Sequence, residues 1–135
     1  MKLYLLDTNA VSAIINDPLG PVALRADLVG PDSVCTSIIV AAELKYGAAK
    51  RQSLRLTQRV ESTLALMSVE PITAPVDDIY GTLRAELERA GELIGDYDML
   101  IAAHALALDC ILVTDNEGEF QRVPGLRVEN WLREG

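Results

Sequence analysis

The run Cys110-Ile111-Leu112-Val113-Thr114-Asp115-Asn116 is apolar without alternation for four residues and then turns abruptly polar. A short apolar run lacking a period of two reads as a strand buried on both faces, as in the middle of a parallel sheet. Residues 99–108 just before it are apolar nearly all round, which predicts a buried helix. Working outward, residues 3–6 (Leu-Tyr-Leu-Leu) predict another short buried strand, again followed at once by an aspartate, Asp7. Val11, Ile14 and Ile15 then take helical spacing until Asp17-Pro18, since the residue before a proline avoids the α region. Residues 21–29 predict a second short helix closed by Gly30-Pro31, and residues 34–36 a second strand. Ser37 is placed to cap a helix from 38 to about 49. The spacing of Leu56, Val60, Leu64 and Met67 predicts one long amphipathic helix over 51–67. A strand is expected at 69–72, a helix at 76–90 stopped by Gly91, and a last strand near 126–128. Strands alternating with helices predict an α/β fold, a three-layer α/β/α sandwich with a mostly parallel central sheet. The 135 residues make one domain, 1–135, without repeats or linkers.

Composition removes several classes. Half the residues are hydrophobic and 24% are charged, which excludes a disordered chain. No apolar run nears the ~18 residues that span a bilayer, so no membrane role is expected. Asp7 interrupts the N-terminal apolar stretch too early for a signal peptide, so a cytoplasmic location is expected. Cys35 and Cys110 lie far apart and offer no zinc-ligand spacing. His104 is the only histidine, which excludes a two-histidine acid–base mechanism; it reads as a core or surface side chain. Trp131 reads as a packing residue. Neither GxxxxGK[ST] nor GxGxxG occurs.

The net charge is −8, and all of it arises in residues 77–135. Such acidity argues against a general nucleic-acid binder but not against a nuclease, whose metal-holding carboxylates count as acids. Lys45, Lys50, Arg51, Arg55 and Arg59 lie within fifteen residues free of acids. Arg51, Arg55 and Arg59 have i, i+4, i+8 spacing, so on one helix they share a face. That face is either solvated surface or a strip that contacts phosphates.

In a parallel sheet, ligands bind beyond the carboxyl ends of the strands. Asp7 and Asp115 both fall there, although each is also accounted for as a helix cap. Glu43 sits in Ile38-Ile39-Val40-Ala41-Ala42-Glu43-Leu44, where a lone buried carboxylate is costly unless it meets a metal or a distant arginine. Asp98 opens the apolar helix, where the helix dipole favours an anion and a plain N-cap serves equally well. Asp96, two residues earlier, is loop or ligand. Asp7, Glu43, Asp98 and the Asp115/Asn116 pair thus gather at one sheet edge. Clustered carboxylates raise one another's pKa values, and a divalent cation removes that penalty. Oxygen ligands select Mg²⁺ or Mn²⁺, and such a centre hydrolyses phosphodiesters.

The segments Leu5-Leu6-Asp7-Thr8-Asn9, Ala42-Glu43-Leu44-Lys45-Tyr46-Gly47 and Tyr97-Asp98-Met99-Leu100-Ile101-Ala102-Ala103-His104-Ala105 resemble the three signature segments of PIN-domain nucleases. Leu112-Val113-Thr114-Asp115-Asn116 to Phe120, Val123-Pro124-Gly125-Leu126 and Glu129-Asn130-Trp131 resemble the C-terminal block of the VapC toxins of that superfamily. The resemblance implies a Mg²⁺- or Mn²⁺-dependent endoribonuclease that cleaves RNA, in many members transfer RNA. It implies a VapB-type antitoxin that wraps the toxin, a homodimer, and a higher assembly with the antitoxin. Asp7, Glu43 and Asp98 match the family's acids. Asn116 matches its Thr-x-Asp/Asn position, with Asp115 beside it as a further metal ligand. Thr8, Asn9, Asp96, Thr114 and Glu119 are expected to support these groups, and Lys45, Lys50, Arg51, Arg55 and Arg59 to contact RNA. A catalytically inactive binding module on the same fold is the alternative. An aspartyl-phosphate protein is disfavoured, because Lys50 is the last lysine and no paired acids follow the first strand.

Overall fold

The computed structural model describes residues 2–133. Five parallel strands form one sheet in the order β3-β2-β1-β4-β5, where β1 is Tyr4–Leu6, β2 Val34–Ser37, β3 Ser68–Glu70, β4 Ile111–Val113 and β5 Val128–Glu129. The helices between them are α1 (Thr8–Asn16), α2 (Pro21–Val29), α3 (Ile38–Arg51), α4 (Leu54–Leu64), α5 (Val76–Ala90), α6 (Asp96–Leu108) and α7 (Glu117–Phe120). The chain steps outward from β1 to β2 and β3, then returns to the far side of β1 for β4 and β5. Right-handed crossovers therefore place α1–α4 on one face and α5–α6 on the other. Packing agrees: α1 contacts α2, α3 and α4, while α5 packs on α6. The result is the expected three-layer sandwich. Among the described residues no helix is long and apolar enough to cross a membrane.

The reversal at β1 makes the gap between the ends of β1 and β4 the topological switch point. Register sets its geometry. Leu6 lies opposite Val113, so Asp7 and Thr114 emerge side by side, and the Asp7 N–H donates to Val113 O at 2.9 Å. Leu5, Leu6, Leu112 and Val113 are fully buried, which anchors both strand ends in the core. Burying such side chains contributes roughly 1.5–3 kcal/mol each. On one side they meet Val11 and Ile14 of α1 and Val40 and Leu44 of α3; Met99, Ile101 and Ala105 of α6 complete the core.

Four sequence expectations change. The helix expected over 51–67 is two helices. Gln52 takes a left-handed conformation (φ 53°) that ends α3, and the Ser53 side chain accepts from Leu56 N to start α4. Helix α6 begins at Asp96 rather than Met99, so Asp98 is its third residue and Gly95 its N-cap. Strand β3 is shifted toward the N-terminus and ends before Pro71, which has no N–H for the ladder. Strand β5 is Val128–Glu129, where residues 126–128 were expected.

His104 belongs to the core, at 1% exposure. Its Nδ1 lies 2.9 Å from Ser37 Oγ, the oxygen that accepts from Ile39 N at the start of α3. Burial holds the imidazole below its usual pKa. The unfolded chain thus binds the extra proton, and stability present above about pH 6.5 is lost as the pH falls. His104→Gln removes this titration. The stability gap between wild type and variant should narrow between pH 7.5 and 5.5, by no more than about 1.4 kcal/mol per pH unit. Denaturant melts at the two pH values measure it, and a constant gap would contradict the assignment.

Candidate active site

The site is built on two strand ends, the first turns of α1, α6 and α7, and the second turn of α3. Asp7 is the N-cap of α1 and is only 4% exposed. Its Oδ1 accepts from Thr8 N, the first N–H of α1, at 2.7 Å, rather than from the second or third N–H that a capping side chain usually meets. Its Oδ2 accepts from Thr114 Oγ1 at 2.8 Å and from Asn9 Nδ2 at 3.3 Å. The Thr114 hydroxyl in turn accepts from Asn9 Nδ2 at 3.2 Å and from Asn116 N at 3.1 Å. Asn9 Oδ1 closes the ring by accepting from Asp115 N at 3.0 Å. Asp7 thus stands at the N-cap of α1 with both oxygens engaged, Oδ1 by the start of the helix and Oδ2 by Thr114 and Asn9 at the switch point.

Glu43 projects from α3, half-buried, and its Oε1 accepts from Thr8 Oγ1 at 3.0 Å. The ion pairs among the described residues involve Arg25, Arg122, Arg127 and Arg133, not an arginine on Glu43. Asp98 comes from the first turn of α6. Facing it, Glu119 of α7 accepts from Gly95 N at 2.8 Å through Oε1 and from Asn116 Nδ2 at 2.6 Å through Oε2. A β-carbon built on Gly95 would lie 3.6 Å from Asp98 Oδ2 and 3.8 Å from Glu119 Oε1, so both carboxylates crowd this one backbone position.

The electrostatics record the crowding. Burial pushes Asp98 up to about 7, and the charges of Glu119, Asp7 and Glu43 add to it. Glu119 is held below its usual range, chiefly by the Gly95 N–H. Asp7 is raised by burial and by Asp115, against the opposing hydrogen bonds of Thr8, Thr114 and Asn9. Carboxylates that disfavour one another's charge are the donor set a hard divalent cation relieves, and the residues fit such an ion chemically. No three acidic, histidine or cysteine side chains among the described residues already stand as a closed ligand set.

The other expected residues divide. Asp115 is exposed, and it joins the network through its backbone rather than its carboxylate. Asn116 uses its amide N–H to orient Glu119. Asp96 is exposed in the first turn of α6. Glu119 is more central than the sequence suggested; its i, i+3 relation to Asn116 on a helical turn was the available signal. The basic residues do not form one strip. Lys45, Lys50 and Arg51 belong to α3, Arg55 and Arg59 to α4, and the break at Gln52 destroys the shared face. Lys50 Nζ lies 6.0 Å over the Tyr46 ring. The Arg59 guanidinium donates to Ile15 O, which ties α4 to the last turn of α1 and gives it a structural task.

A stability measurement reads the cost of ionising Asp98. Between its ordinary value of 3.8 and about 7, Asp98 holds a proton in the native state but not in the unfolded one. Metal-free protein should therefore lose stability as the pH rises through that window. In EDTA, Asp98→Asn should raise the melting temperature at pH 8 by a few degrees, the effect of about 1 kcal/mol after solvent screening. At pH 5 the same variant should gain little. Equal gains at both pH values would show that Asp98 is not held protonated in the folded protein.

Comparison with known proteins agrees with this geometry. A family model described as the PIN domain matches residues 4–126. The chain is 37% identical over 131 residues to Ribonuclease VapC2 of Rickettsia felis, covering 96% of this chain and 98% of that protein. It is 36% identical over 132 residues to the tRNA(fMet)-specific endonuclease VapC of Shigella flexneri, covering 97% and 99%. Among solved structures it superimposes on VapBC2 from Rickettsia felis bound to a promoter DNA fragment with a TM-score of 0.90, at 36% identity over 96% of this chain and 98% of that one. The strand order, the acids at the switch point and these similarities converge: the chain belongs to the PIN-domain family, in its VapC group.

Proposed function

We propose that this chain is a toxin of the VapC kind, an endoribonuclease that cuts transfer RNA with Mg²⁺ or Mn²⁺ and is silenced by a VapB-type antitoxin. The observation that carries this reading is the hydrogen-bonded chain that runs from Glu43 through Thr8, Asp7, Thr114 and Asn116 to Glu119, with Asp98 beside Glu119 at Gly95. Asp7, Glu43 and Asp98 would hold the cation, with Asp115, Asn116 and Glu119 at its edge. The cation supplies charge neutralisation at the scissile phosphate and activation of the attacking water. The chain's residues do the rest. Thr114 and Asn9 fix the Asp7 carboxylate in one orientation, as supporting hydrogen bonds do for metal ligands. Thr8 pins one Glu43 oxygen, so that the carboxylate can take a proton from the water at a defined position. Lys45, Lys50 and Arg51 follow Glu43 on α3 and would meet the RNA backbone. Transfer RNA is the favoured substrate because the Shigella flexneri relative is named for it.

The antitoxin assignment rests on relatives solved as VapBC assemblies. A surface suited to it exists: a cavity of about 620 Å³ between α1, α2 and α4, lined by Ile14, Ala23, Ala26 and Met67 with Arg55 and Asp27 among its polar groups. Leu66 opens onto it at 72% exposure. Apolar ground of this kind, edged by charge, fits an amphipathic segment. The homodimer and the higher assembly with antitoxin stay within this proposal.

Two experiments test it. Bulk tRNA and a long single-stranded RNA are incubated with protein free of antitoxin, in Mg²⁺, in Mn²⁺ and in EDTA, beside Asp7→Asn. Cuts should appear only with metal, fall at least about a hundredfold in the variant, and leave a 5′-phosphate and a 3′-hydroxyl. A 2′,3′-cyclic phosphate product would rule out the water-attack mechanism. Second, Ala26→Arg should weaken antitoxin binding about tenfold or more while leaving tRNA cleavage intact. Unchanged binding would place the partner elsewhere.

A further inference from the structure

Helices α1 and α3 face each other with matched polar stripes. On α1 the stripe is Thr8, Ser12 and Asn16; on α3 it is Glu43, Gly47 and Arg51. Both are spaced i, i+4, i+8, so each stripe runs straight along its helix. The first rung is closed by the Thr8–Glu43 hydrogen bond of 3.0 Å. The second is open, because a β-carbon on Gly47 would meet nothing within 4 Å. The third carries the exposed Asn16 and Arg51. Between the stripes lies a furrow of about 260 Å³ floored by Ile15, Leu44, Leu56 and Val60. It leads from Glu43 outward for about 12 Å, eight residues of helix.

We propose that this furrow is the subsite for the nucleobase beside the scissile phosphate; the proposal rests on the ribonuclease reading and extends it. An apolar floor takes the face of a ring, while the Ser12 hydroxyl and the Asn16 amide offer hydrogen bonds to its edge. At about 260 Å³ the furrow is smaller than the roughly 300–1,000 Å³ of pockets for drug-sized ligands, which suits one ring system. Arg51 at the outer end meets the next phosphate, a bidentate contact that a guanidinium is shaped to make. The nucleotide is thus held at two points on one side of Glu43, and the scissile phosphate is directed to the acids. Such a subsite accepts only RNA whose base is free to turn out of its stack, which selects single-stranded loops over duplex.

The test pairs a filled furrow with a missing base. Gly47→Leu fills the open rung, and it should fold, because Gly47 lies in regular helix and leucine is the better helix former. An RNA cut by the wild type is remade with an abasic residue on either side of the cut. One abasic substrate should be cleaved about tenfold or more slowly than the intact RNA. Gly47→Leu should cleave intact RNA at that same reduced rate, with no further loss when both changes are combined. Full-rate cleavage of both abasic substrates by the wild type would overturn the subsite, as would losses that simply add. Gly47→Leu that cleaves normally but escapes the antitoxin would also overturn it, giving the furrow to the partner protein. Wild-type cleavage of the intact RNA is the separate control: without it the ribonuclease reading itself falls.

Discussion

The hydroxyl of Thr114 is the joint on which the site depends. It donates to Asp7 and accepts from Asn9 and from the Asn116 backbone, so one oxygen ties the end of β4 to the end of β1. It is fully buried, and a buried polar group must be partnered or it costs free energy. Here all its partners belong to the site. The stability of the switch point and the orientation of Asp7 are therefore one requirement. The sheet register serves it too, since a slip of one residue would turn Thr114 to the other face.

A second constraint opposes the first. The fold links Asp7, Glu43 and Glu119 through one hydrogen-bonded network and sets Asp98 beside Glu119, where burial first and then these charges drive Asp98 to about 7. A protein selected for stability alone would not place them so. Strain of this kind is common at functional sites, where the ligand rather than the apo protein relieves it. Gly95 lies between two of these acids: its N–H holds Glu119, and a β-carbon there would touch both Asp98 and Glu119 at ordinary contact distance.

The other face of α1 works differently. Arg59 spends its guanidinium on Ile15 O, and the cavity beside it is largely apolar and remote from the acids. Helix α1 thus separates two surfaces: the polar furrow shared with α3, and the apolar cleft shared with α2 and α4. One surface is polar along its walls and the other largely apolar, and Ile15 lines both.

Much was legible in the order of residues. Apolar runs ending in Asp7 and Asp115, and the lone acid Glu43 in an apolar helix, pointed to a parallel sheet with acids at its carboxyl edge. Those inferences use local chemistry: hydrophobic period and the cost of burying charge. The break at Gln52 was not legible, because glutamine rarely takes a left-handed conformation and the apolar spacing carries across it. With that break the basic strip came apart. The weight of Glu119 and the furrow at Gly47 also escaped, for both are relations between helices distant in sequence. Sequence alone determined which residues are acids, that acids follow the first and fourth strands, and which family they resemble. Only the tertiary structure decided which acids meet, which bases stay together and where a cleft opens, because these depend on how helices from separate crossovers pack across one sheet.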